Sequence, residues 1–90
     1  MTLIARTVEI TNRRGLHARA SAKFVTVASG VGMKVEVEKD GSKVVGTSIM
    51  GLMMLGAAMG DSVIIVTEGE DADEALEKLV ALVEGRFGED

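Results

Sequence analysis

The chain has no cysteine, proline, tryptophan or tyrosine, and only two phenylalanines and one histidine among its 90 residues. Without cysteine there are no disulfide scaffolds, thiol nucleophiles or cysteine-ligated zinc or iron–sulfur centres, and the absence fits a reducing compartment. A single histidine with no acidic residue close to it in the sequence cannot complete a coordination set, so neither a metal nor another cofactor is expected. Two aromatics leave little for base stacking, and a net charge of −4 with a pI near 4.9 makes long nucleic acid a poor partner. No long hydrophobic run is present either. The longest mostly apolar stretch, Ile49 to Met59, falls short of the roughly 20 residues that span a bilayer. MTLIAR meets a charge at its sixth residue, unlike a signal peptide. A cytoplasmic protein without a membrane partner is the expectation.

What is present fits a soluble globular chain, with 47% apolar and 27% charged residues. Residues 1–90 are expected to form one domain, since this length holds one core but not two independent ones. Charge is divided unevenly. Met1 to Ser48 carry eight Lys/Arg and four Asp/Glu, whereas Ile49 to Asp90 carry two and ten. No carboxylate occurs between Glu9 and Glu36, a window that holds Arg13, Arg14, Arg19, Lys23 and Lys34. That window makes a local anion site plausible.

With no proline, punctuation falls to eleven glycines. Thr2 to Thr11 alternate as a strand, with Ile4, Val8 and Ile10 on one face. Asn12 to Gly15 read as a turn, and His17 to Ser29 as a helix. On that helix Phe24, Ala28, Ser21, Val25, Ala18 and Ala22 fill one arc, with Arg19, Lys23 and Thr26 opposite. After Gly30 and Gly32, Met33, Val35 and Val37 alternate with charged residues as a second strand. Asp40-Gly41 marks a tight hairpin whose central residues need positive φ, with Lys43 to Val45 as the return strand. Thr47-Ser48 before IMGLMML reads as a capped helix start, and Ser62 to Thr67, containing VIIV, as an interior strand or one covered on both faces. The last helix opens with Asp71 three residues before Glu74, a capping-box pattern, and repeats Ala72, Ala75, Leu76, Leu79, Leu82 and Val83 at helical spacing. The order is βαββαβα. An antiparallel sheet with one apolar face needs a cover, so the expected fold is an α+β open-faced sandwich, four strands covered on one face by three helices.

His17 stands at the mouth of the first helix, where up to four backbone N–H groups lack intrahelical acceptors. An isolated histidine is more often a surface or capping residue without chemical duty. Here Gly15 and Leu16 form a tight entry, Arg19 lies two residues on, and no nearby acid competes for the cations. A phosphoryl group on the ring can take hydrogen bonds from the Ala18 and Arg19 amides, gain about 0.3–1 kcal/mol from the helix dipole, and pair with the Arg19 guanidinium. Imidazole titrates near about 6.5, so much of it is neutral and nucleophilic at cytoplasmic pH.

GLHARASAKFV resembles the active-site segment of the HPr family, the histidine-containing phosphocarriers of the bacterial phosphotransferase system, and TSIMGLMMLG resembles that family's second signature. The likeness extends through the DG hairpin to GEDADEAL. It implies phosphorylation of His17 at Nδ1 by the phosphoenolpyruvate-dependent enzyme I and passage of the group to an EIIA-type protein, so that the chain is a substrate of enzymes more than an enzyme. It also implies a sheet order of first, fourth, second, third. Many members have proline where this chain has Ala20, and the alanine resembles the alphaproteobacterial and nitrogen-type versions.

Ser48 reads as an N-cap contributing about 1 kcal/mol. The resemblance adds regulatory phosphorylation there by an HPr kinase/phosphatase, since a dianion is tolerable at a helix N-terminus. Ile49, Met50, Leu52, Met53, Met54 and Leu55 go nearly all round a short helix that cannot bury every face. About half should be core, and Ile49, Met50, Leu52 and Met53 are the candidate docking residues, because Met side chains repack easily against different partners. The alternative is a regulatory interaction module whose phosphorylation state selects partners without onward transfer.

Overall fold

Period-two alternation puts one apolar row on each strand, and those rows assemble into the floor of the core. The computed structural model describes residues 2–89. In chain order these form β1 (Thr2–Glu9), α1 (Ala18–Gly30), β2 (Lys34–Lys39), β3 (Ser42–Val45), α2 (Ile49–Met54), β4 (Ser62–Gly69), α3 (Ala72–Glu84) and a 3-10 turn, Arg86–Gly88. The sheet is antiparallel throughout, in the order β1-β4-β2-β3. Register places Val8 opposite Val63, Val37 opposite Ile65, and Val44 opposite Val37. The inner row therefore runs through Val8, Val63, Ile65, Val35 and Val37, all buried. β4 is interior, as its apolar run suggests, but its second face is only partly shielded: Ile64 and Val66 are half-buried.

The helices close the other side. α3 lies on β1 and β4, α2 reaches β3, and α1 contacts both helices. Phe24, Leu52, Leu79, Val83 and Phe87 fill the space between, each fully burying a side chain that stabilises by roughly 1.5–3 kcal/mol. No described helix is long and apolar enough to cross a membrane.

Local signals hold at most joints. Asp40 (φ 50°) and Gly41 (φ 85°) adopt the positive φ that a two-residue hairpin demands. Three readings change. The buried stripe of α1 is Ala20, Ser21, Phe24 and Ala28; Ala18 is exposed and Ala22 half-buried. The i, i+4 row of Ala20, Phe24 and Ala28 enters the buried core, on a helix packed against α2 and α3. Asp71 is the N-cap of α3 but makes no side-chain capping bond, so the box with Glu74 is not closed. The third change is Leu52, which is fully buried between α2 and the core and cannot serve in docking, whereas Met50 and Met54 are 71% and 80% exposed.

Candidate functional site

The site begins in the loop from Ile10 to His17. Gly60 N–H donates to the Ile10 carbonyl and Ile10 N–H to Asp61, which prolongs the β1–β4 pairing past the strand ends. Gly15 then turns the chain at φ 64°, and a Cβ there would stand 2.3 Å from the Ala57 carbonyl oxygen, so only glycine fits. Leu16 N–H donates to that same carbonyl at 2.9 Å, and the buried Leu16 side chain anchors the loop. Buried Asn12 donates through Nδ2 to the Gly15 carbonyl at 2.8 Å, closing the turn from within.

This loop delivers His17 as the N-cap of α1, with extended backbone (φ −76°, ψ −178°) and its carbonyl already accepting from Ser21 N–H at 2.9 Å. Nδ1 accepts from the Arg19 amide at 3.3 Å, the capping role usually taken by a serine or aspartate oxygen. The ring's other nitrogen, Nε2, is 2.7 Å from Oε2 of Glu89. The imidazole is 22% exposed, open on one side and held on the other. The Ala18 amide, like that of Arg19, sits in the first turn, where no intrahelical acceptor exists. Arg19 is exposed and, among the described residues, its guanidinium makes no ion pair.

The sequence placed no acid here, and that expectation is overturned. Glu89, 72 residues along the chain, brings its carboxylate into the window. Asn12 Nδ2 donates to its Oε1 at 3.1 Å, and Lys23 Nζ donates to the Phe87 carbonyl at 2.6 Å, tying the segment after α3 down on α1. Partial burial pushes the Glu89 carboxyl upward. Hydrogen bonds from His17 and Asn12, with the charges of His17 and Lys23, outweigh that and hold it below the ordinary value of 4.5. Asn12 Oδ1 is buried without a hydrogen-bond partner among the described residues. Asn12, Lys23 and Glu89 were legible only as a turn residue, a basic residue and a terminal acid. No sequence spacing connects them to His17.

Ser48 caps α2, its Oγ accepting from Gly51 N–H at 3.0 Å. On α2 after it Ile49, Met50, Met53 and Met54 are exposed, so the apolar face of this helix includes Met54 where the candidate set had Leu52. Ala57 joins the two regions, because the loop leaving α2 supplies the carbonyl that holds Leu16.

The family model for the HPr component phosphorylation site of the phosphotransferase system matches residues 4–85. The phosphocarrier protein HPr of Neisseria meningitidis is 48% identical over 87 residues, covering 97% of this chain and 98% of that protein. The phosphocarrier protein NPr of Shewanella violacea is 38% identical over 89 residues, covering 99% and 98%. The crystal structure of HPr from Thermoanaerobacter tengcongensis superposes with a TM-score of 0.90 at 47% identity, over 100% of this chain and 99% of the other. With a capping histidine at an open helix mouth, the same open-faced sandwich and this likeness over nearly its whole length, the chain belongs to the HPr family, the phosphocarrier proteins of the phosphotransferase system.

Proposed function

We propose that His17 is the residue that carries the phosphoryl group, on Nδ1. One observation carries this reading: the lone pair of Nδ1 points toward the Arg19 amide at the mouth of α1, on a ring still open to solvent. A group bound there takes over the Arg19 amide from the ring and accepts from the Ala18 amide as well, and the exposed Arg19 guanidinium is free to swing onto its outer oxygens. Phosphoryl transfer needs little more than alignment and positive charge around those oxygens. As the new N–P bond forms, the bond from phosphorus to the donor breaks and its electron pair leaves with the donor.

The donor in this reading is enzyme I, charged from phosphoenolpyruvate, and the acceptor is an EIIA-type protein, all working in the cytoplasm. Both use the apolar surface of Ile49, Met50 and Met53, extended by Met54. The protein acts as one domain and is a substrate of these enzymes, with no catalytic turnover of its own. Ser48 is the regulatory position, open to an HPr kinase/phosphatase. Phosphorylating it exchanges a neutral cap for a dianion in the first turn of α2, where the helix N-terminus tolerates negative charge and the apolar docking surface does not.

The test is incubation with enzyme I and labelled phosphoenolpyruvate. Label should enter the wild-type protein, be lost in acid as phosphohistidine is, and discharge onto the EIIA-type protein. His17→Ala should take up none while keeping its circular dichroism spectrum. Normal labelling of that variant refutes the assignment.

A further inference from the structure

Four features of the segment after α3 have no role in the reading above. Arg86 (φ 58°) and Phe87 (φ 55°) are consecutive non-glycine residues in the left-handed region, a conformation that persists only where the surroundings impose it. Phe87 is buried in the core at 1% exposure. Lys23 clamps its carbonyl from α1. Beyond it Glu89 N–H closes onto the Arg86 carbonyl at 2.9 Å, and the Glu89 side chain divides its two oxygens between Asn12 and His17. The whole turn is built to aim one carboxylate.

Resting on the assignment of His17 as acceptor, we propose that Glu89 is a positioning residue that fixes the tautomer of the His17 ring. Its Oε2 accepts a hydrogen bond from Nε2–H, 2.7 Å away, and a neutral imidazole carries only one N–H. Nδ1 is then left with its lone pair, as the bond it accepts from the Arg19 amide requires. The two contacts select the same form from opposite ends of the ring. A carboxylate behind an imidazole plays this orienting part in other nucleophilic sites, holding the ring without itself taking the proton. When Nδ1 bonds to phosphorus, Nε2 keeps its proton. The ring becomes a phosphoimidazolium, and its positive charge forms against Glu89. On transfer onward the N–P electron pair returns to Nδ1 and the neutral Nε2–H ring is restored. Asn12, with Nδ2 on Oε1, keeps the carboxylate from rotating away.

Two readouts on the full chain test this. The first is nitrogen-15 NMR of the unphosphorylated ring near pH 8, which reports the tautomer whether or not phosphoryl transfer occurs. The second is the initial rate of phosphorylation by enzyme I. Wild type should be almost wholly the Nε2–H form. Glu89→Ala should mix the two tautomers and slow phosphorylation about tenfold, less than the loss in enzymes whose orienting carboxylate is deeply buried. Glu89→Gln still offers an oxygen to Nε2, and should restore the tautomer and most of the rate. The proposal is overturned by a wild-type ring in the Nδ1–H form, by Glu89→Ala matching wild type in either readout, or by Glu89→Gln failing to restore the Nε2–H form. Should label never reach His17, the rate arm fails alone and the acceptor assignment is what falls, while the tautomer arm still judges Glu89.

Discussion

In the reading proposed for His17 a single side chain does two things: it caps the start of α1 and offers a nucleophile. The capping bond to the Arg19 amide holds the ring in place before any phosphoryl group arrives, so little ordering remains to be done at the moment of transfer. Gly15 is the residue this placement depends on. Alanine there meets the Ala57 carbonyl and must hold a φ of 64°, so Gly15→Ala should destabilise the fold by about 2 kcal/mol or more, read as a lower urea midpoint at unchanged slope. Glu89 adds a pH dependence of known sign. Its folded-state pKa lies below the ordinary 4.5, so its contribution is complete above that value and is lost as pH falls through the depressed one. The groups facing it are His17, Asn12 and Lys23. The stability advantage of wild type over Glu89→Gln should therefore shrink as the pH is lowered below about 4.5, measured by thermal melts across that range. An advantage that grew on acidification would contradict the ion-pair geometry.

At the scale of elements, α2 shows how a six-residue helix reconciles two demands. Leu52 and the following Leu55 turn inward, and Met50, Met53 and Met54 turn out. Too short to be stable by itself, the helix relies on its cap and on that inward face. Ser48→Ala removes the bond to Gly51 N–H and should cost about 1 kcal/mol in chemical denaturation, with phosphorylation at His17 little changed. A loss near zero would mean that water replaces the hydroxyl. α3 presents the opposite case, because its N-cap side chain makes no bond and Asp73 and Glu74 in the first turn complement the dipole instead.

For the whole molecule, the loop that delivers His17 and the loop that leaves α2, whose methionines form an exposed apolar surface, are tied together at Ala57. The exposed Arg19 stands at the His17 end of this surface, while the acidic surplus of the second half lies mostly on α3 and around the ends of β4. A partner of acidic character around an apolar centre fits such a surface, and its encounter should weaken with salt. Met50 is 71% exposed, so Met50→Glu should leave stability within about 0.5 kcal/mol while raising the KM for phosphorylation by enzyme I. A lowered kcat at unchanged KM would place Met50 outside the docking surface.

The order of elements, the Asp40-Gly41 hairpin, the cap at Ser48 and the histidine at a helix mouth are determined by the sequence alone, because each rests on spacing within one or two turns of chain. A hydroxyl three residues from an amide, or a glycine where φ must be positive, means the same thing in any fold. Tertiary structure decided what short range does not contain. Leu52 and Met50 are both apolar on the same helix, and only packing against the sheet tells which is core. The rotation of α1 follows from where Phe24 finds room. Glu89 reaches His17 across 72 residues because Phe87 is buried and Lys23 holds its carbonyl, and neither condition can be written as a spacing. Local geometry thus presents the capping imidazole, and the packed core supplies the carboxylate behind it.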